Sequence, residues 1–189
     1  MSLVETWQTM GVVFRKKIIQ VRTLVFLTTT LISLLGGIKL PTGKNEFTSE
    51  STDWCLGGVY TLQHNRNEID ASLVYSVNTE AEGAEKGDTL AHDLAYQLRL
   101  FPWNWPESGV PAQINFVMEL NGLYSQKDEV SGIKADNSSG YQLFLSPGFQ
   151  WVSRRFIIEG LFQRPIVHDL NGSQTKEDYR AILGVRFQI

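Results

Sequence analysis

Three histidines, one cysteine and a scatter of serines and carboxylates are the side chains in this 189-residue chain from which catalysis or metal binding would have to be built. His64, His92 and His168 stand too far apart for an HxH or HxxxH ligand pair, the spacings that bring two imidazoles to one side of a backbone. Cys55 is alone, which excludes an intrachain disulfide framework and a cysteine-based zinc site. Ser146 is followed by Pro147 and Gly148, so the G-x-S-x-G elbow of serine hydrolases is absent, and neither Ser72 nor Ser76 has a histidine converging on it in the sequence. Thr42-Gly43-Lys44 has the look of a phosphate loop, but Asn45 stands where that loop needs Ser or Thr. No catalytic residue, no metal ligand and no cofactor site is expected.

The remaining polar chemistry is charge at regular spacing. Asp70, Asp93, Arg99, Glu119, Asn121, Glu159, Gln163, Arg180 and Arg186 each have an apolar residue on at least one side. If the chain closes into a barrel, carboxylates on one side and guanidinium groups on the other would cross-pair over a narrow lumen. Two roles are then open: a charged constriction that selects solutes, or an interior network that plugs the barrel and holds it together.

The elements that must position these groups are strands. In residues 179–189, Tyr179, Ala181, Leu183, Val185, Phe187 and Ile189 form one row, and Arg180, Ile182, Gly184, Arg186 and Gln188 the other. A period of two is a strand with one apolar and one mostly polar face, and about ten residues suffice for a tilted strand to cross a bilayer. The same alternation runs through 54–63, 69–78, 90–100, 114–122, 141–149 and 156–163. Tight turns are expected at 64–67 and near Ser153–Arg154. Long polar or charged connections are expected at 41–52, 80–88, 126–140 and 169–177. Short turns at one end and long loops at the other are the signature of an up-and-down outer-membrane barrel. The connection 101–112, with Pro102, Trp103, Trp105, Pro106 and Pro111, reads as an aromatic-rich turn at the membrane surface. Asp88, Asp128, Glu129, Asp136, Asp169, Glu177 and Asp178 make the long loops acidic, with solvated charge as their expected state.

Polarity decides between solvents. The polar rows carry too much charge to pack a dry core, and Trp54, Tyr60, Tyr75, Tyr96, Tyr124, Tyr141, Trp151 and Tyr179 lie mostly near strand ends in the apolar rows, as an interfacial girdle requires. The competing reading is a soluble β-sandwich with ordinary buried aromatics. The membrane reading expects Leu94, Phe116, Leu145 and Phe162 to face outward and Glu119 and Arg186 inward. A net charge of −3 gives no basic excess for nucleic acid.

The first third is ambiguous. Residues 24–35, LVFLTTTLISLL, follow Arg15, Lys16, Lys17 and Arg22, which fits the flank and apolar run of a signal peptide. Three consecutive threonines favour strand over helix, and the preferred reading is a strand at 7–18, a turn at 19–22 and a strand at 23–40. The whole chain, 1–189, is read as one barrel domain of about nine segments. Residues 1–22 are either a partial strand or a mis-started N-terminus, and the barrel is either N-terminally truncated or begins with a segment outside the sheet.

Four segments carry a resemblance: GGIKLPTGK at 36–44, LFLSPGFQW at 143–151, QRPIVHDLNGSQ at 163–174 and DYRAILGVRFQI at 178–189. Together the chain resembles the outer-membrane porin or transporter family associated with the MetA pathway of phenol degradation. In that family a G-x-K-x-P-T-G segment ends a strand and opens an external loop, and a P-x-x-x-D-L-N-G segment links the last two strands. These map to Gly37, Lys39, Pro41, Thr42 and Gly43, and to Pro165, Asp169, Leu170, Asn171 and Gly172. Members often end in Phe; this chain ends in Ile189, with Phe187 two residues earlier. The resemblance implies a β-barrel in the outer membrane of a Gram-negative bacterium, passing small solutes, aromatic or hydrophobic ones included. The implied partners are outer-membrane lipid, the solute, and the barrel-assembly machinery acting on the C-terminal strand. A structural or adhesion barrel with a plugged lumen is the alternative, and an outer-membrane lipid enzyme a third.

Overall fold

Among the described residues, the alternating segments form extended strands. The computed structural model describes residues 19–21, 28–41, 50–104 and 112–187. Twelve strands form there: β1 (Ile19–Val21), β2 (Thr28–Lys39), β3 (Asp53–His64), β4 (Asn67–Val77), β5 (Ala84–Glu85), β6 (Thr89–Phe101), β7 (Gln113–Ser125), β8 (Glu129–Val130), β9 (Ile133–Lys134), β10 (Gly140–Val152), β11 (Phe156–Leu170) and β12 (Arg180–Phe187). There is no helix among the described residues.

The sheet is an antiparallel meander of nine strands in the order β1-β2-β3-β4-β6-β7-β10-β11-β12. Each long strand pairs with its neighbour in sequence, so the register follows from the hairpins. His64 pairs with Asn67 across the two-residue turn Asn65–Arg66, where Asn65 takes a left-handed φ of 56°. Among the described residues no strand pairs β12 with β1 or β2, so the all-β sheet is open along one seam.

The distribution of side chains is inverted relative to a water-soluble sheet. Few apolar side chains are buried among the described residues: Val74, Ala91, Phe144 and, just after β6, Pro102. Ser33, Ser76, Arg99, Asn115, Glu119, Ser146, Glu159 and Gln163 are buried. Leu34, Leu56, Leu73, Leu94, Phe149, Phe162, Leu183 and Phe187 are exposed. Phe116 and Leu145 are half-buried in the apolar rows. The outer surface is covered by aliphatic side chains and ring pairs, among them Phe116 against Phe149 (5.4 Å) and Phe162 on Tyr179 (5.6 Å).

Several sequence expectations need correction. Residues 19–21, expected in a turn, are the strand β1, with Ile19 opposite Ile32 and Val21 opposite Thr30; the expected strand at 7–18 lies outside the described residues. β11 runs to Leu170, so Pro165 and Asp169 belong to a strand and not to the connection after it. The reason is a bulge: Leu143 pairs with Val167 but Phe144 with Pro165, which leaves Ile166 unmatched. One extra residue moves the following side chains to the opposite faces, and the alternation disappears from the sequence there although the strand continues. Proline is tolerated at such a place. A second bulge leaves Leu100 unmatched in β6.

The long connections are not simply solvated. β5, β8 and β9 form a small sheet that ties loop 78–88 to loop 126–139. Asp128 Oδ1 accepts from Gly87 N (2.8 Å), and Asp88 accepts from Asn78 N (3.0 Å) and Tyr75 OH (2.6 Å). Asp136 pairs with Lys127 (2.7 Å) and Glu177 with Arg180. Of the proline- and tryptophan-rich connection, residues 105–111, with Trp105, Pro106 and Pro111, lie outside the described residues.

Candidate functional site

The polar face gathers into one place because period-two rows on adjacent strands fall into register. Thr61 pairs with Asp70, Asp70 with Ala95, and Ala95 with Glu119. Ser72 pairs with Asp93, and Asp93 with Asn121. Arg99 pairs with Asn115, Asn115 with Gln150, and Gln150 with Glu159. These are straight rows of polar side chains across the sheet.

Two hydrogen-bonded ladders run along them. In the first, Ser72 Oγ donates to Asp93 Oδ2 (2.8 Å), and Asn121 Nδ2 donates to Asp93 Oδ1 (3.1 Å) and to Glu119 Oε2 (3.2 Å). Ser146 Oγ donates to Asn121 Oδ1 (2.7 Å), and Gln163 Nε2 to both Asn121 Oδ1 (3.2 Å) and Ser146 Oγ (3.1 Å). In the second, Asn115 Nδ2 donates to Gln150 Oε1 (3.2 Å), Gln150 Nε2 to Glu159 Oε2 (3.2 Å), and Arg186 Nη2 to Glu159 Oε2 (2.8 Å). Polar groups withdrawn from water need such partners, because an unmade buried hydrogen bond costs about 1–3 kcal/mol.

Between the ladders lies a cavity of about 220 Å³. Its lining reaches from Val59 on β3, through Asp70, Asp93 and Glu119, to Glu159 on β11 and Arg186 on β12. Residues so far apart in the strand order face one cavity only if the sheet curls around it. The ionisable lining is predominantly acidic: four carboxylates, and one guanidinium that is bridged to Glu159.

Of the nine residues expected here, Asp70, Asp93, Glu119, Asn121, Glu159 and Arg186 line the cavity, and Gln163 belongs to the first ladder. Arg99 and Arg180 do not line this cavity. Arg99 lies near the short-turn end, buried, with Nε donating to Pro102 O (3.1 Å). Arg180 opens β12 at the long-loop end, bridges Glu177, and sets its guanidinium 4.8 Å from the Phe144 ring. Asn115, Ser146 and Gln150 were missed. They are neutral, and attention to charge passed over them although they occupy the same alternate positions.

The motif residues hold loops. Lys39 Nζ pairs with Asp53 and donates to Ser51 Oγ (3.0 Å), while Asp53 Oδ1 accepts from Thr79 N (3.0 Å). This latch joins the base of loop 40–52 to the end of β4. Gly37 sits opposite Cys55, whose Sγ would lie 2.8 Å from any Cβ there. Asn171 Nδ2 donates to Ser139 Oγ (2.5 Å), and Gly172 has φ +69° where a Cβ would fall 2.1 Å from Asn137 Oδ1. Pro41 is exposed, and Thr42 and Gly43 lie outside the described residues. Two loop carboxylates have shifted pKa values. Hydrogen bonding to Lys127 holds Asp136 below the usual carboxylate range, and hydrogen bonding to the Glu82 carboxyl raises Glu50.

The histidines do not converge. His64, at the end of β3, shares a hydrogen bond with Thr28 Oγ1 (2.7 Å), and His168, inside β11, pairs with Gln142 (3.2 Å). His92 lies on the outer face, over Gly122, and meets Tyr141 OH at 3.0 Å. No group of three or more metal-ligating side chains forms among the described residues.

Comparison with curated proteins and with solved structures gives no match. A family model described as "Putative MetA-pathway of phenol degradation" matches residues 28–155. That range begins at β2, includes the Gly37–Lys39 motif and the first ladder's Asp93, Asn121 and Ser146, and ends in the turn before β11. The match covers more than half of the chain, and the chain therefore belongs to this family, whose name ties it to phenol degradation.

Proposed function

We propose that the chain crosses the outer membrane as an up-and-down β-barrel and lets small solutes pass through its polar interior. One observation carries this reading: the inversion of the sheet, with Glu119, Asn115 and Ser146 buried and Leu34, Leu183 and Phe187 exposed. Monomeric soluble proteins do not expose a continuous apolar band, and hydrocarbon is the surrounding that favours one. Strand length agrees. Twelve residues in β2 and β3 extend about 40 Å, or about 28 Å when tilted by ~45°, close to a bilayer core. An unpaired strand edge is not viable in hydrocarbon, so in the membrane the seam beside β12 closes. The exposed row Leu183, Val185 and Phe187 suits recognition of the C-terminal strand by the assembly machinery.

The activity is passage, not catalysis. A neutral phenol would meet no charge penalty among Asp70, Asp93 and Glu119, whereas an anion would. A second reading, a barrel plugged by its own side chains, is favoured by the continuity of the two ladders. The test is a planar bilayer with protein purified in detergent. Discrete conductance steps are the expected result. Silence from protein that shows heat-modifiable migration would overturn passage and leave the plugged barrel. A chain soluble without detergent would overturn the membrane reading itself.

A further inference from the structure

The two ends of the sheet carry opposite charge. Loops 78–88, 126–139 and 171–179 hold nine carboxylates against four lysines. At the other end the described turns are basic. Arg66 occupies the β3–β4 turn, and Arg154 and Arg155, both exposed, the β10–β11 turn. Glu68, at the start of β4, is the acidic residue nearest them in sequence.

Both turns are flanked by aromatic residues. The Arg66 guanidinium lies 3.1 Å from the centre of the Trp103 ring, and Trp103 is 61% exposed. Arg66 is half-buried, with its Nη1 covered and the rest of the side chain at the surface. On the strand ends that flank Arg154 and Arg155, Trp151 packs edge-on against Phe156 at 5.1 Å. Indole rings favour the interface between hydrocarbon and headgroup. A guanidinium one turn beyond them stands at the depth of the lipid phosphates, to which its planar donors are matched.

We propose that this rim, Arg66 with Arg154 and Arg155, is a docking surface for the headgroups of anionic glycerophospholipids. It fixes the short-turn end in the phospholipid leaflet, while the acidic loops at the other end repel the same headgroups. The proposal rests on the membrane reading above. It adds the lipid class and the orientation.

The experiment reconstitutes the purified full chain in phosphatidylcholine vesicles that carry trace spin-labelled phosphatidylglycerol or trace spin-labelled phosphatidylcholine. The motionally restricted fraction reports lipid held at the protein surface. Phosphatidylglycerol is expected to be favoured several-fold, with a ceiling of about fivefold for each arginine that reaches a phosphate. Arg154→Gln with Arg155→Gln, in an exposed turn outside both ladders, lowers that preference. Lys134→Gln, on a loop at the far end, leaves it unchanged. Equal association of the two lipids with the unaltered chain overturns the proposal, as does a preference that survives the double substitution or falls equally with Lys134→Gln. Failure to enter vesicles of either kind overturns the membrane reading, and the rim proposal with it.

Discussion

Ser33 and Leu34 are neighbours in β2, and their exposures are 2% and 74%. In a sheet folded by water the order would be reversed, because burying a leucine is worth about 1.5–3 kcal/mol and burying a hydroxyl is not. The same contrast repeats at Asn115 beside Ile114 and at Ser146 beside its half-buried neighbours Leu145 and Pro147. Hydrogen bonds organise the inner face, where two ladders assign nearly every polar group a partner. The outer face has no core to join and presents aliphatic and aromatic surface along every long strand. The comparison teaches that the polarity of the surrounding medium is as much part of this fold as the sequence, and that each face has its own way of failing.

The sharpest break is a charge at the middle of the outer face. Leu34→Arg leaves the ladders intact and adds a side chain to open space. If that space were water, the change would lie within about 0.5 kcal/mol of neutral. In lipid it costs about 2–4 kcal/mol at the membrane midplane. Equilibrium unfolding from vesicles measures the difference, and a neutral result removes the distinction between the faces. The inner face breaks differently. Ser146 is fully buried; its hydroxyl donates to Asn121 Oδ1 and accepts from Gln163 Nε2. Ser146→Ala removes both of its bonds but leaves Gln163 Nε2 donating to Asn121 Oδ1, and is expected to cost about 1 kcal/mol by the same measurement. A substitution series in which inner alanines are silent and outer arginines are too would show that neither face is what its exposure suggests.

How much of this was legible in the sequence follows from where alternation and polarity coincide. β3, β4, β6 and β7 were readable because the rows of Leu56, Leu73, Leu94 and Ile114 alternate with mostly polar or small residues, and the register holds throughout except at the Leu100 bulge of β6. The second half of β11 was not. The bulge at Ile166 shifts the phase, so Val167 turns outward and His168 inward, and PIVHDL reads as a connection. The two-residue strands β5, β8 and β9 are too short to show any period, and their pairing depends on loops distant in sequence. Charge found Asp93 and Glu119 but passed over Asn115 and Gln150, which serve the ladders without it. Arg180 had the right parity and the wrong height: it sits at the strand's start, where Glu177 and the Phe144 ring are nearer than the cavity. Lys39 was read as a motif residue, and its partner Asp53, fourteen residues on across loop 40–52, could not be read from spacing.

The next contrast lies within the inner face, between Asp93, held by the neutral donors of Ser72 and Asn121, and Glu159, which shares its charge with Arg186. The Asp93 side of the cavity should therefore favour cations. In a conducting barrel, Asp93→Asn lowers the cation-to-anion permeability ratio by about threefold, the weight of a unit charge at ~6 Å in water-like surroundings. Reversal potentials in a salt gradient read it. Glu159→Gln should move the ratio less, since it also releases the Arg186 charge. Equal shifts from the two sides would make the lining electrically uniform.

The smallest effect separates two loop contacts by their response to acid. Lys127 holds the Asp136 carboxyl below its ordinary range, so the unfolded chain takes up that proton first. The contact therefore favours the folded loop at neutral pH, and its contribution is lost as pH falls through the lowered pKa. Glu50 behaves oppositely. Its hydrogen bond to Glu82 raises its pKa, the folded chain holds the proton more tightly, and the contact is lost as pH rises through the raised value. Acid should thus loosen the tie between Lys127 and Asp136 in the loop after β7 while strengthening the one between loops 40–52 and 78–88. Both groups are exposed, and salt screens the ion pair. Carboxyl chemical shifts followed across the acidic range are expected to titrate in that order, Asp136 below Glu50. Lys127→Ala should bring Asp136 back to the ordinary value without moving Glu50, because the two contacts share no residue. A Glu50 titration that followed the loss of Lys127 would mean that β5, β8 and β9 couple the loops into one electrostatic unit, and the loop end would then have to be treated as a single rigid cap.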